Sequence, residues 1–407
     1  MRTAAEIHRL NAFDVVRSIH AAGVCTRREL VEATSLSFST VSTICAKLIE
    51  AGVVVEAGRD RPIVGRPTAR LTLNPEHGHF LGVDIAETYV HVETLNAALE
   101  TMSSTRWDID PHKKTPAEVI QRVQAAIAVE HARHLTTPLL GVGVAAPGQV
   151  DQAGGASIFA PNWGWHNVPL VEQLADGLGA PLYLDNPLKS LVVSEIWSNP
   201  ERHHEDFTVI NLGTGVGAAF AIEGRIHRGH TNSAGEWGHT VLVGDGRACR
   251  CGSRGCVEAY VGAVGILRTL RETHPTSDLL CGDDQTATLA ALGAAADKGD
   301  PAALDVIEQT SRFLGMAIAS IINFLNPSLI LITGWVASHI GQRLVDQAQP
   351  HIKAHALAVP LMGTTVELQH MKSNAVCLGA AAQAFEGYLD ALSSEPFDQE
   401  LPPARRS

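Results

Sequence analysis

The chain has 407 residues, 45% of them hydrophobic, and carries 31 Lys and Arg against 43 Asp and Glu, a formal net charge of −12. That length allows two or three domains, each with its own core, and the charge excludes a protein that coats nucleic acid with its whole surface. No apolar run approaches the ~18 residues of a membrane span, and MRTAAEIHRLNAFDVV lacks the features of a secretory signal, so a cytoplasmic location is expected.

The charge is unevenly placed. Residues 1–75 hold ten Lys and Arg against seven Asp and Glu, and the remainder holds 21 against 36. A mildly basic head on an acidic body suits a small DNA-reading module on a larger domain that does not touch DNA. In the head, Ile7, Leu10, Val15 and Ile19 recur at helical spacing and predict a helix from Ala5 to Ala22, ended by Gly23. Thr26 is placed to cap RRELVEAT. After a turn at Ser35-Leu36-Ser37, Ser37 or Ser39 opens STVSTICAKLIEAG. Two short helices joined by a tight turn form a helix-turn-helix. On the second, Val41, Ile44, Leu48 and Ile49 should face inward. Ser37, Ser39, Thr40, Ser42, Thr43 and Lys47 are then left for the major groove, where hydroxyls reach base edges and the amine reaches phosphate. Past Gly52, two apolar strands flank a loop with Arg59, Arg61 and Arg66, the pattern of a wing whose arginines can enter a minor groove. The alternative is a helical bundle with a hairpin, used for protein contacts alone.

Asn74-Pro75 to Gly78 reads as a linker. Beyond it, FLGVDIAETYVHVETLN predicts strand, turn, strand, and FTVINLGTGVGAAFAIEGR repeats that layout, suggesting two similar α/β lobes facing a cleft. Helices are expected over 116–134, 284–298, 300–322 and 374–386, and strands at LLGVGVAA and LILITG. Gly213, Gly215 and Gly217 follow a strand, a pattern suited to phosphate because backbone amides converge where side chains are absent; a plain hairpin turn has the same composition. His203, His204 and His230 share no ligand spacing and read as surface residues, while Cys25, Cys45, Cys281 and Cys377 read as isolated buried thiols. The polar tail from Ser393 reads as disordered.

The densest chemistry lies in GEWGHTVLVGDGRACRCGSRGCVE, from Gly235 to Glu258. His239, Cys249, Cys251 and Cys256 are donors of the types zinc prefers, and Gly252 and Gly255 permit tight turns between them. Four protein ligands leave no open position, so the metal would be structural. A redox pair or a disulfide is the alternative, although a Cys249–Cys251 bond would be strained. Glu236 and Glu258 flank the ligands. A metal-bound imidazole keeps a second ring nitrogen that seeks a hydrogen bond, and with two carboxylates nearby it forms a cluster suited to sugar hydroxyls.

E-x-G-H followed by C-x-C-G-x-x-G-C-x-E resembles the signature of the ROK family of repressors, open reading frames and sugar kinases. The resemblance runs from Leu81 to about Phe385. The head, with G-R-P before its second strand, is similar to that of the family's regulators of the xylose- and N-acetylglucosamine-repressor type. It implies an α/β chain: an N-terminal winged helix-turn-helix followed by a two-lobed actin-like (ribonuclease H-like) ATPase fold. It also implies zinc on His239 and the three cysteines, sugar contacts from Asn162, Asn186, Glu236, His239 and Glu258, and ATP phosphates at the glycine loop. Gly148 lies in a P-G turn of the kind that borders the sugar pocket, and Trp163 or Trp165 could stack on a pyranose, although a Trp near a lobe hinge is more often simply core.

Two departures from the family's kinases are legible. Where those carry Asp-x-Gly-Gly-Thr, this chain has Asp84-Ile85-Ala86-Glu87-Thr88, which sets a negative charge against phosphate oxygens and makes ATP unexpected. Where their base stands, in an Asn-Asp pair, YLDNPLKS puts Pro187 after Asn186, and proline cannot accept a hydroxyl proton. Asp185, one position earlier on an extended strand, should point to the opposite face.

The expected organisation is a winged helix-turn-helix over 1–76 and a first lobe over 80–190, closed by a C-terminal helix over 374–388. A second lobe with the zinc loop covers 191–373, and a disordered tail covers 393–407. The favoured function is a sugar-responsive DNA-binding regulator, a repressor and not an enzyme, acting on operator DNA as a homodimer or homotetramer. The alternatives are an active sugar kinase with an added DNA-binding domain, and a regulator gated by a partner protein or a phosphosugar.

Overall fold

The computed structural model describes residues 4–60, 68–110, 115–282, 284–369 and 374–394. Helix Ala4–Ala22 ends where Gly23 takes φ +67°. Thr26 caps helix Arg27–Thr34 in a reciprocal box with Glu29. Ser35, left-handed at φ 56°, turns the chain to Ser37, whose hydroxyl accepts the Thr40 N–H and caps helix Phe38–Glu50. Strands Val54–Asp60 and Thr68–Leu73 pair antiparallel, with Cys25–Thr26 as a third strand.

The segment from Asn74 to Gly78 is a stitched turn and not a free tether. Asn74 Nδ2 donates to Gly52 O, the Ala97 N–H donates to Gly78 O, and His77 Nε2 shares a 2.7 Å hydrogen bond with the Tyr388 hydroxyl. The core of the first 73 residues runs on into the body: Val16, Ile19, Ile44 and Leu71 share one cluster with Val193, Trp197, Phe385 and Leu389. His20 meets Trp197 edge-on, with ring centroids 5.5 Å apart.

The body holds two five-stranded sheets. The first runs Leu182–Asp185, Leu139–Ala145, His79–Ala86, Tyr89–Asn96, Thr101–Asp108, and the second runs Arg225–Ile226, Val216–Ile222, Phe207–Leu212, Leu329–Thr333, Thr365–Leu368. In each, one strand is antiparallel to the next in sequence and parallel to a later one, so the repeated layout expected from the sequence is present. Parallel partners need crossovers, supplied by helices such as Pro116–Ala132 and Pro301–Leu325.

Helix Ala375–Ser394 returns from the second sheet to cover the first. Its approach demands glycine: a Cβ on Gly82 would lie 1.9 Å from Cys377 O, and one on Gly143 1.8 Å from Ala380 O. This helix continues past the expected end at 386 or 388, so Ser393 is still helical; residues 395–407 of the expected tail lie outside the described residues. Among the described residues, no helix is long and apolar enough to cross a membrane.

Candidate functional site

His239, Cys249, Cys251 and Cys256 present ligand atoms that all lie within 4.8 Å of one another. Cys249 Sγ is 3.6 Å from His239 Nδ1, and Cys251 Sγ is 3.7 Å from Cys256 Sγ. Zinc bonds of about 2.0–2.3 Å generate tetrahedron edges of about 3.5–3.8 Å, so this soft donor set could hold a metal ion of that size and geometry. Burial pushes the Cys249 thiol pKa up to about 12 and raises that of Cys256, a penalty on the thiolates that a bound cation would oppose. The backbone makes the cluster possible. Gly255 sits at φ +76°, where a Cβ would meet Val243 O at 1.8 Å, and Gly235 at φ +104° starts the turn Glu236–His239.

Glu258, 7% exposed, stands beside this set of possible ligands. Its Oε2 accepts the Val216 N–H at 3.0 Å, and its Oε1 lies 3.7 Å from Cys249 Sγ and 3.4 Å from Arg250 Nη2. A Cβ on Gly215 would lie 3.3 Å from Asn162 Nδ2 and 3.4 Å from Glu258 Oε2, so the two side chains converge on that glycine. Asn162 Nδ2 also donates to Glu87 Oε1 at 3.0 Å. The fold therefore gathers Asn162, Glu258 and, through Cys249, His239 around one backbone point.

Asn186 and Glu236 lie about the Asp185–Lys189 pair. Asn186 Oδ1 accepts the Leu188 N–H and caps helix Pro187–Ser198, while its Nδ2 donates to Gly148 O at 2.7 Å. One N–H and one lone pair of that amide are left for another partner. Glu236 is exposed, and it joins Asp185 in raising the pKa of Lys189, which burial lowers overall.

Pro187 occupies the first position of its helix, where the missing N–H is no loss. Asp185 has no exposed surface, and its carboxylate accepts from Gln152 Nε2 at 3.0 Å, Asn232 Nδ2 at 3.1 Å, Arg228 Nε at 3.1 Å and the Asn186 N–H at 2.8 Å. Its oxygens are committed to neighbours and not to a reacting proton. The glycine loop is similarly occupied. The Gly213 N–H bonds Gly215 O, the Val216 N–H serves Glu258, Arg250 Nη2 donates to Thr214 O at 2.8 Å, and the Trp335 indole packs on Gly213. In the other loop, Asp84 is buried under the Tyr89 hydroxyl, and burial pushes its carboxyl up to about 6.

Trp163 and Trp165 are buried in the first sheet's core with ring centroids 5.0 Å apart, so of their two readings the core one holds and neither offers a face to a pyranose. Two expectations are corrected. Cys281 is exposed, because it lies in the irregular stretch before helix Gln285–Asp297. His203 is half-buried and pushed down to about 4 by burial and by Arg17.

In the head, Ser37, Ser39, Thr43 and Lys47 are exposed and Thr40 is half-buried. Ser42 departs from its expected outward aim: its hydroxyl oxygen is buried. Arg59 pairs with Ala69 in the strand ladder, while Arg61 and Arg66 lie outside the described residues. Phe38, which the sequence reading passed over, is 59% exposed at the start of the same helix. Arg228, Asn232 and Arg250 were also missed. They carry no motif, and only folding places them against carboxylates.

The sequence profile of the ROK family matches residues 80–386. A xylose repressor of Caldicellulosiruptor bescii is 25% identical over 393 residues, covering 94% of this chain and 97% of that protein. A glucokinase of Halalkalibacterium halodurans is 31% identical over 309 residues, 74% of this chain and 93% of that one. Among solved structures, a ROK family transcriptional regulator homologous to the Escherichia coli MLC protein superposes with a TM-score of 0.78 at 25% identity, covering 95% of this chain and 98% of that one.

Proposed function

The chain belongs to the ROK family, and from that premise we propose that it is a sugar-responsive transcriptional repressor whose kinase-like body binds an effector without phosphorylating it. The reading divides the chain into a winged helix-turn-helix over 1–76, a first lobe over 80–190 with the C-terminal helix, and a second lobe over 191–373. The repressors it resembles match it through the head as well as the body, whereas the glucokinase match covers 74% of the chain.

One observation carries the proposal. Asn162 and Glu258 still converge beside a metal-ligand cluster, yet the base position holds Pro187 and the adjacent Asp185 is consumed by Arg228, Asn232 and Gln152. Hydroxyl recognition is kept while the proton acceptor is lost. Zinc on His239, Cys249, Cys251 and Cys256 is structural in this reading and holds His239 so that its second ring nitrogen can meet a sugar hydroxyl. Asn186, Glu236 and Glu258 supply further polar contacts. ATP finds no welcoming cradle, because the Gly213 and Val216 amides are already paired and Glu87 adds a negative charge.

For DNA, Ser37, Ser39, Thr40, Thr43 and Lys47, with the arginines of the wing, form the reading surface. Phe38 adds an apolar contact of the kind thymine methyl groups accept. One head reads one half-site, and half-sites recur about 34–36 Å apart per helical turn, so a homodimer or homotetramer is the working form. Fluorescence anisotropy on DNA from upstream of the gene, with and without D-xylose, D-glucose and N-acetyl-D-glucosamine, tests the proposal. Specific binding that one sugar weakens is expected; absence of specific binding under every condition removes it.

A further inference from the structure

The hairpin Val216–Ile226 is held at both ends by charged groups that belong to different parts of the molecule. At its base, the Val216 N–H is bonded to Glu258, which converges with Asn162 on Gly215. The return strand leaves Ile226 and reaches Arg228 and Asn232 within six residues, and both hold the Asp185 carboxylate beside Asn186. Thus the chain at either end of the hairpin is anchored to carboxylates beside the candidate sugar-binding residues, Glu258 with Asn162 and Asp185 with Asn186.

The tip is anchored in the head. Gly224 O accepts Arg17 Nη1 at 3.0 Å, and Arg225 Nη2 meets both oxygens of Asp14, at 3.0 and 2.9 Å. Arg17 Nη2 completes the set on Asp14 Oδ1 at 2.7 Å. The Arg17 side chain is 4% exposed, so these contacts work at low dielectric, where charged hydrogen bonds are strongest. The turn itself tolerates little change. Glu223 and Gly224 have φ of 52° and 66°, the Gly224 N–H is tied to Glu205 O, and a Cβ on Gly224 would lie 1.8 Å from His203 O.

The same helix, Ala4–Ala22, touches the covering helix of the first sheet through Arg9 and Asp390, 3.3 Å apart. It therefore straddles elements from both sheets. A seven-residue strand spans about 23 Å at 3.3 Å per residue, enough to carry a displacement from the cleft to the head without an intervening loop.

We infer that the Val216–Ile226 hairpin is the lever that carries effector occupancy from the cleft to the DNA-reading head, with Asp14, Arg17 and Arg225 as its latch. This rests on the repressor reading. When a ligand engages Glu258 or Asn186, it acts on groups that hold the base of the hairpin. The tip then shifts against helix Ala4–Ala22 through Asp14 and Arg17, and the more exposed Arg9–Asp390 contact takes no part in the transfer. Arg225 and Asp14 are positioning residues that touch neither sugar nor DNA.

The test uses the full chain in two arms. In the first, operator affinity is measured with and without D-xylose, D-glucose and N-acetyl-D-glucosamine for wild type, Arg225→Ala and Arg9→Ala, with sugar affinity measured by calorimetry. Arg225→Ala should leave sugar affinity within about twofold and cut the sugar-induced change in operator affinity at least about fivefold. Arg9→Ala should keep the wild-type ratio. Retention of the full ratio by Arg225→Ala overturns the lever.

The second arm needs no sugar. Amide hydrogen exchange is followed over residues 4–22 and 216–226 in wild type, Arg228→Ala, Glu258→Ala and each combined with Arg225→Ala. Loosening the base of the hairpin should accelerate exchange in helix Ala4–Ala22 at least about threefold, and only while Arg225 is present. Accelerated exchange confined to the hairpin overturns the lever. If no sugar alters operator binding by wild type, the repressor reading fails in its sugar dependence, and the exchange arm alone decides the lever.

Discussion

Arg228 grips the Asp185 carboxylate through two nitrogens, Nε at 3.1 Å and Nη2 at 3.0 Å, although the two residues belong to different sheets' segments. Asp185 has no exposed surface while Arg228 keeps 29% of its own, so the pair closes the interior at the junction of the two halves. Removing the charge from such a carboxylate takes the buried anionic partner from Arg228 and Lys189. Asp185→Asn should therefore destabilise the chain by about 3 kcal/mol, seen as a clear fall in thermal midpoint, whereas Arg228→Ala should cost less. An Asp185→Asn variant as stable as wild type would contradict the assignment.

Zinc on His239, Cys249, Cys251 and Cys256 predicts a stoichiometry and a dependence. Purified protein should contain one zinc per chain, and Cys251→Ala should lose it. Because a structural site's binding energy is part of the folding energy, chelation or that substitution should lower the melting temperature and speed proteolysis within 235–262. Elemental analysis showing no zinc in correctly folded protein would remove the ion from the scheme.

Catalysis is expected to be absent. In a coupled assay of ADP release with D-glucose and N-acetyl-D-mannosamine, wild type should match a blank without protein. Pro187→Asp should restore nothing, because Asp84 remains closed under Tyr89 and the Gly213 and Val216 amides remain paired. Wild-type turnover above that variant would revive the kinase alternative.

Acid should weaken the fold. Burial, aided by His131 and His134 at one site and Arg17 at the other, pushes His79 and His203 down to about 4 from 6.5. The unfolded chain takes up these protons first, so their contribution is complete above the unfolded value and is lost as pH falls from 6.5 towards 4. Asp84, pushed up to about 6, works in the opposite sense between 6 and 3.8. The melting temperature should fall between pH 7.5 and 5.0. His203→Gln should narrow that fall and Asp84→Asn should widen it; a slope unchanged by either substitution would refute the assignment.

On the head, Lys47→Ala should weaken binding to all DNA alike and reduce the salt dependence by about one counterion. Phe38→Ala should instead reduce discrimination between operator and unrelated DNA. Equal losses on both DNAs for Phe38→Ala would deny it a role in reading bases.

Much of the fold could be read along the chain because its signals are local. The caps at Thr26 and Ser37 and the duplicated strand-turn-strand openings each depend on a few adjacent residues, and all are present. Phe38 shows where such reasoning fails. It lies three residues before Val41, on the side that periodicity assigns to the core, yet it is 59% exposed while Val41 has no exposed surface. The tryptophans show the limit from the other side: Trp163 and Trp165 could be read as core or as stacking surface, and only the packing of the first sheet places both rings in the core.

What the sequence by itself determined was chemical identity: three thiols and an imidazole at a spacing that can surround one ion, a proline after Asn186, and a glutamate at position 87. Those statements hold in any conformation, since they concern which atoms exist. Only the tertiary structure decided which groups meet. The burial of Asp185 among Arg228, Asn232 and Gln152, and the grip of Asp14 and Arg17 on a hairpin some two hundred residues away, depend on contacts between distant segments. Their energies are set by distance and dielectric, and folding alone supplies both.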